Sequence, residues 1–459
     1  MNSINYNNLI SSQLEYFNSN ITKDVNFRIE MLKKLKQVLK SNETLLDKAI
    51  YKDFKKSSFE NYVTELSLIY HEINIAVKNL RKWTKKKRVK TNLANMPGKS
   101  YVIPEPLGVT LTIGAWNYPY QLSILPAVSA LAAGNTAVIK PSELALNTSQ
   151  AMAKIINENF DAKYLHVVEG GVEETTALLK EKFDKIFYTG SSNVGKIIMK
   201  AAAENLTPVT LELGGKSPAI VMNDADINIT AQRITWAKFL NGGQTCVAPD
   251  YILVKKDIKQ KLIDKIKLNI DKIYGNNPQN SDAFVRIINK RHFTRITELI
   301  DTDKVIIGGE TNENDLFISP TVMHNVTFDD AVMQEEIFGP VLPVIEFTDI
   351  DWAIKQIKDR PKPLALYLFT SNKKMIKKIL HEISFGGGAI NDAVMHLANS
   401  NLPFGGVGHS GMGNYHGKAG FNTFSHFKSI LQKSTFFEPS VKYTPYTDFK
   451  RNLLKKLIE

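Results

Sequence analysis

A single cysteine, Cys246, stands in a chain of 459 residues. One thiol excludes an intrachain disulfide and any multi-cysteine metal site, and it suits a reducing compartment. The nine histidines form no H-E-x-x-H pattern and no cysteine–histidine zinc spacing, so no metal is expected. Long apolar runs are missing too. The longest, Leu122 to Ala133, is too short to cross a bilayer and carries two serines and a proline. The N-terminus shows no basic segment followed by an apolar one, so no signal peptide is expected. There is no low-complexity tract and no repeat at solenoid period. The expectation is a soluble, cytoplasmic protein. Its apolar content of 43% supports packed cores, and its length calls for two or three domains.

Acidic side chains are in deficit, 46 against 58 basic, for a net charge of +12. Such a surplus admits nucleic acid, an anionic membrane surface, or solubility alone. The densest run is Lys85-Lys86-Lys87-Arg88, flanked by Lys82 and Lys90. It reads as a solvated helix end and loop, or as a weak peripheral contact with acidic lipid. Neither zinc-ligand spacing nor an aromatic-rich RNA-binding strand is present, so no nucleic-acid partner is expected.

Phe27, Met31, Leu32, Leu35, Val38 and Leu39 recur at helical spacing, and a second helix is expected from about Val63 to Trp83. The polar stretch Thr91 to Pro106 breaks that pattern and reads as an arm or an extended excursion. From Gly108 short apolar strands alternate with helices. The strands are 108–114, 136–140, 165–168, 186–189 and 209–213, and Gly134-Asn135 ends the helix between the first two. This alternation predicts a parallel sheet covered by helices, with ligands beyond the carboxyl ends of the strands. A second α/β unit follows, from about Gly214 to Ala393.

Cys246 follows Gly242-Gly243-Gln244-Thr245, where glycines let the backbone turn sharply and approach a ligand. It is a buried filler or a nucleophile. Glu212 lies between Leu211 and Leu213, so it is poorly solvated; it is a general base or a carboxylate held by Lys216. Asn117, in Trp116-Asn117-Tyr118-Pro119, is an oxyanion donor or a helix cap. Gly190-Ser191-Ser192-Asn193-Val194-Gly195 follows a strand and opens a helix, where a pyrophosphate meets backbone N–H groups. The middle glycine of G-x-G-x-x-G is replaced by Ser192, so a plain turn is the alternative. Lys140 and Glu143 are positioned to meet ribose hydroxyls, or they form an ordinary exposed loop. Glu336 can bind a ribose while Phe338 packs on a nicotinamide; core packing is the alternative for Phe338.

Seven segments occur in order and at fitting intervals. They are 116–119, 140–143, 188–191, 211–218, 243–246, 335–340 and 403–408. Together they resemble the aldehyde dehydrogenase superfamily over nearly the whole chain, and most resemble its class-three branch. The resemblance implies a Rossmann-type cofactor domain (1–90 and 106–213) and a second α/β catalytic domain (214–393). It adds a bridging and oligomerisation element (91–105 and 394–459), and it implies a homodimer. It makes Cys246 the nucleophile, Asn117 an oxyanion donor and Glu212 the base that activates water. It assigns Lys140, Glu143, Gly190, Ser191, Gly195, Glu336 and Phe338 to the dinucleotide, and Tyr118 and Phe404 to the substrate pocket. Glu143 favours NAD, with NADP possible. The implied reaction is oxidation of an apolar medium- or long-chain, aromatic or polyene aldehyde to its acid. The alternatives are a coenzyme A-acylating enzyme, which would generally lack the Glu212 base, and a non-catalytic cofactor-binding relative.

Overall fold

The computed structural model describes residues 6–458. Three larger sheets organise it, beside a two-stranded ribbon of 311–312 and 317–318. The first has six strands in the order 411–412, 209–212, 185–189, 109–113, 136–140, 165–167. All its pairings are parallel except the first, where Gly411–Met412 runs antiparallel to Leu211–Glu212. Its central strands are buried on both faces, which explains runs such as Val109–Ile113 with no polar alternation. Pro119–Ala133 is buried all round, as its near-uniform hydrophobicity requires. It ends where Gly134 takes a left-handed conformation, φ 100°.

The N-terminal helices Val25–Ser41, Glu43–Phe54 and Ser67–Trp83 share the core of this first sheet. The expected helix from Val63 starts differently. Tyr62–Leu66 forms a π turn, and the α-helix begins at Ser67. The π turn brings Glu65 inward, where it is fully buried.

The second sheet has seven strands in the order 305–307, 321–323, 341–347, 251–255, 218–221, 365–369, 387–390, parallel except at 305–307. Cores lie on both of its faces. The third sheet is antiparallel and joins Lys87–Val89, Gly98–Pro106 and Ser425–Lys433. Its long pair runs in register from Ser425 opposite Pro106 to Lys433 opposite Gly98. Helix Asp448–Ile458 packs against Leu93–Asn95.

Two sequence expectations change here. The basic run is not a helix end: the helix stops at Trp83, and Lys87–Val89 is an exposed strand. Nor do residues 394–424 join the arm. Met395–Ala398 pack against strand 387–390 of the second sheet, and Gly411–Met412 closes the open edge of strand 209–212 in the first.

Candidate active site

Glu212 is the last residue of its strand, Ile113 and Lys140 end theirs, and Thr189 ends a fourth. Parallel strands therefore deliver these segments to one side of the first sheet. The second unit brings Cys246 to the same place on the turn after helix Ile227–Phe239. A cavity of about 1070 Å³ is lined by Asn117, Tyr118, Lys140, Glu143, Gly190, Ser191, Glu212, Cys246, Glu336, Phe338 and Phe404.

The nucleophile turn is tightly specified. Gly243 has φ 72°, and a Cβ there would sit 2.2 Å from the Gly339 carbonyl oxygen, so only glycine fits. Gln244 donates from Nε2 to Asn241 O (3.0 Å) and Arg286 O (3.1 Å), and its Oε1 accepts from Ile288 N (3.1 Å). Asn241 donates from Nδ2 to Asn117 O at 2.8 Å. Asn117 in turn donates from Nδ2 to Gln244 O at 3.0 Å. These buried amides lock the Asn117 loop onto the Cys246 turn. A side-chain amide carries two N–H groups, so one donor of Asn117 remains for a ligand.

Asn117 is not a helix cap. The cap position belongs to Tyr118, which makes no capping bond. Glu65 serves instead, its Oε2 accepting from Tyr120 N (2.8 Å) and Gln121 N (3.3 Å). Its other oxygen accepts from Lys56 Nζ at 2.9 Å, in a pair with both side chains fully buried. This support was invisible in the sequence, since the capping carboxylate comes from a π turn far upstream. Tyr118 is a latch as well as a wall: its hydroxyl lies 2.6 Å from Thr245 Oγ1, beside the nucleophile.

Cys246 is partly accessible. Burial of its thiol, then the negative charges of Glu336 and Glu212, push its pKa up to about 12; the backbone N–H groups of Cys246 and Val247 oppose the shift. Glu212 is 3% exposed, and among the described residues neither carboxylate oxygen has a hydrogen-bond partner. Burial raises its pKa well above the usual carboxylate range. Lys216 does not hold it. That lysine pairs with Asp250 at 2.5 Å and donates to Val332 O and Glu335 O. Glu336 has its carboxyl against the Gly214–Gly215 backbone, and burial followed by Asp250 raises its pKa to about 8.

A pH experiment follows. The raised thiol pKa keeps Cys246 protonated near neutrality. Without cofactor, iodoacetamide alkylation of Cys246 is expected to be slow at pH 7 and still rising at pH 10. Glu336 ionises near pH 8 and then disfavours the thiolate, so Glu336→Gln is expected to react faster than wild type above that pH, with little difference below it. A rate that levels off below pH 8 would contradict the thiol assignment, and equal rates for the two proteins above pH 8 would contradict that of Glu336.

The remaining residues form a groove that fits a dinucleotide. Ser191 caps helix Ser192–Glu204, its hydroxyl accepting from Val194 N, and that helix opens toward the cavity. Val172 and Ile197 line the groove with exposed apolar surface, 76% and 60% exposed, a slot suited to a flat aromatic base. Lys140 does not stand in an open loop: it is 1% exposed and donates to Pro141 O at 2.7 Å. Glu143 is exposed at the groove edge. Gly195 must be reassigned. It is absent from the cavity wall, and a Cβ there would lie 3.0 Å from Leu213 Cδ2, so it serves close helix–sheet packing.

Phe338 is not core. It takes φ 49°, costly for a bulky residue, and lines the cavity edge-on to Trp116 at 5.2 Å. Trp116 itself stacks on Phe54, with 17° between rings. The Phe54–Trp116–Phe338 series was not anticipated as a unit, because its members are 62 and 222 residues apart (116 − 54, 338 − 116). The wall formed by Leu68, Leu122, Trp236, Leu240, Leu397 and Phe404 is apolar, and apart from Phe404 no sequence motif marks its members.

Comparison with known proteins matches residues 6–430 to the aldehyde dehydrogenase family. The chain belongs to that family. It is 50% identical over 433 residues to the 4,4'-diaponeurosporen-aldehyde dehydrogenase of Staphylococcus aureus (strain NCTC 8325 / PS 47), covering 94% of both chains. It is 46% identical over 430 residues to a dimeric NADP-preferring aldehyde dehydrogenase of Mus musculus, covering 94% of this chain and 95% of the other. A solved structure described as the substrate-bound state of Staphylococcus aureus AldH superposes with a TM-score of 0.97 at 48% identity, over the full length of both. The class-three resemblance and the α/β aldehyde dehydrogenase fold are thereby established. The protein is an oxidoreductase that acts on aldehydes, and its family uses NAD or NADP.

Proposed function

We propose that the chain oxidises a long apolar aldehyde, of fatty or polyene type, to the carboxylic acid through covalent chemistry at Cys246. The observation that carries this reading is the convergence of Cys246, Glu212 and the spare Asn117 donor on one cavity with an apolar wall. The name of the staphylococcal relative, a carotenoid-type aldehyde dehydrogenase, supports the polyene class.

Cys246 gives up its proton to solvent water as its sulfur adds to the aldehyde carbon, giving a thiohemiacetal whose oxyanion meets Asn117 Nδ2 and the Cys246 backbone N–H. Lys140, Glu143, the Ser191 helix terminus and Glu336 would hold a nicotinamide dinucleotide, which would supply the hydride acceptor when bound. The thioester left on Cys246 is attacked by a water whose proton passes to Glu212, releasing the acid. The buried carboxyl suits that task because its raised pKa makes its ionised form a strong base. Glu143 at the groove edge favours NAD over NADP, since a carboxylate repels a 2′-phosphate. A working thiol fits a reducing compartment such as the cytoplasm, and the dimeric mouse relative supports a homodimer.

A series of kcat/KM values from propanal through dodecanal to a polyene aldehyde, with each cofactor, tests the substrate class. Rising values with length are expected; a flat or falling series rejects it. Added coenzyme A is expected to yield no acyl-CoA. Asn117→Ala is expected to lower kcat about 10²–10³-fold, the usual effect of losing one oxyanion donor. A change confined to KM would remove Asn117 from that role.

A further inference from the structure

Lys56 stands on the loop between helix Glu43–Phe54 and the short helix Ser58–Asn61, and its side chain is fully buried. Among the described residues, no ion pair other than Lys56–Glu65 has both side chains fully buried. Fold stability alone does not call for such a pair, since apolar side chains of similar volume often serve a core as well. Lys56 is distinguished by what surrounds its charge.

Three arms lead from it toward the reacting groups. The first is Glu65, which holds the backbone N–H groups of Tyr120 and Gln121 at the start of the helix that follows Asn117. The second is the Tyr118 ring. Lys56 Nζ lies 4.6 Å from its centroid, within cation–π range, and the hydroxyl of that ring reaches Thr245 Oγ1 beside the nucleophile. The third is Glu60, whose Oε1 accepts from Asn241 N at 2.9 Å. Burial raises the pKa of Glu60, and the charge of Lys56 is the largest influence opposing that rise. Asn241 holds a φ of 53° in the Cys246 turn and donates to Asn117 O. At the same junction Phe54 O accepts from Arg286 N at 2.7 Å, and Arg286 O accepts from Gln244 Nε2. The segment around Lys56 thus holds the Asn117 loop of the first unit and the Cys246 turn of the second.

We propose that Lys56 is a positioning residue for aldehyde oxidation: acting through Glu65, Tyr118 and Glu60, its buried cation sets the oxyanion donor Asn117 in register with the Cys246 sulfur. Lys56 touches neither substrate nor cofactor, since it is absent from the cavity wall. Donor and nucleophile belong to different units, so their separation is fixed only by tertiary contacts such as these. A misplacement of about 1 Å between reacting groups costs about 10²-fold in rate. The inference rests on the reading of Cys246 as nucleophile.

Removing Lys56 alone strands the Glu65 carboxylate in the core, so the informative variant is Lys56→Gln with Glu65→Gln. It removes both charges and keeps a side-chain hydrogen bond and a capping oxygen. Its melting temperature is expected to stay close to that of wild type. Its kcat for octanal is expected to fall about 10–100-fold, while KM for octanal and the dissociation constant of the cofactor stay within about threefold. Tyr118→Phe keeps the volume of the ring and loses only its bond to Thr245. It is expected to lower kcat about tenfold in the wild-type background, and by no more than about twofold in the double variant, where the register is already lost. Wild-type kcat in the double variant, wild-type kcat in Tyr118→Phe, or full additivity of the two overturns the proposal and leaves Lys56 a structural residue. Cys246→Ala in the same assay keeps the two readings apart. If it still oxidises octanal, the nucleophile reading fails and this inference with it. If it is inactive while the double variant matches wild type, only the role of Lys56 fails.

Discussion

Replacement of Cys246 by alanine is expected to abolish aldehyde oxidation, lowering kcat/KM by at least about 10⁴-fold, as removal of a nucleophile does. The physical ground is that no second thiol exists in the chain to take over. The fold should survive. Cys246 only borders the core on one face of the second sheet, and the turn that carries it is held by Gln244, Asn241 and Asn117, not by the sulfur. Dinucleotide affinity, read by fluorescence titration, is expected to stay within about threefold, since no bond from the thiol supports the groove. A cysteine that merely packs predicts the opposite pattern: a lowered melting temperature with activity retained. One variant therefore separates the two readings that the sequence left open.

The second large effect belongs to Glu212. Glu212→Gln is expected to give a burst of reduced cofactor approaching one equivalent per site, followed by turnover about 10²–10⁴-fold slower than wild type. Hydride departure needs only the sulfur adduct; release of the acid needs water to lose a proton. The glutamine keeps the volume of the buried side chain, and the carboxylate it replaces makes no hydrogen bond among the described residues, so little structural change is expected. Stopped-flow absorbance separates the phases. Loss of the burst together with the steady state would move Glu212 to the first half of the reaction, as the acceptor of the thiol proton.

Much of this arrangement was legible in the sequence, and the exceptions share a cause. Strand 136–140 was read at its observed bounds, and the strand ending at Glu212 within one residue, because buried parallel strands leave short apolar runs bounded by turns. The convergence of Asn117, Glu212 and Cys246 followed from motifs tied to strand ends. The failures are long-range. Nothing local announces that Glu65 caps a helix 55 residues later, that Gly411–Met412 closes the edge beside Glu212, or that Lys216 turns away to Asp250. Gly195 shows the complementary limit. A glycine placed for packing and one placed for a phosphate look the same in a motif, and only the contact with Leu213 tells them apart.

The central claim is that a carbon–sulfur bond forms on Cys246 during turnover. Its most direct test is mass spectrometry of the Glu212→Gln protein quenched in acid after mixing with cofactor and dodecanal. The account predicts a mass increase equal to the dodecanoyl group, confined to the peptide that contains Cys246. An unmodified Cys246 peptide, in a sample where aldehyde has been converted to acid, would contradict it.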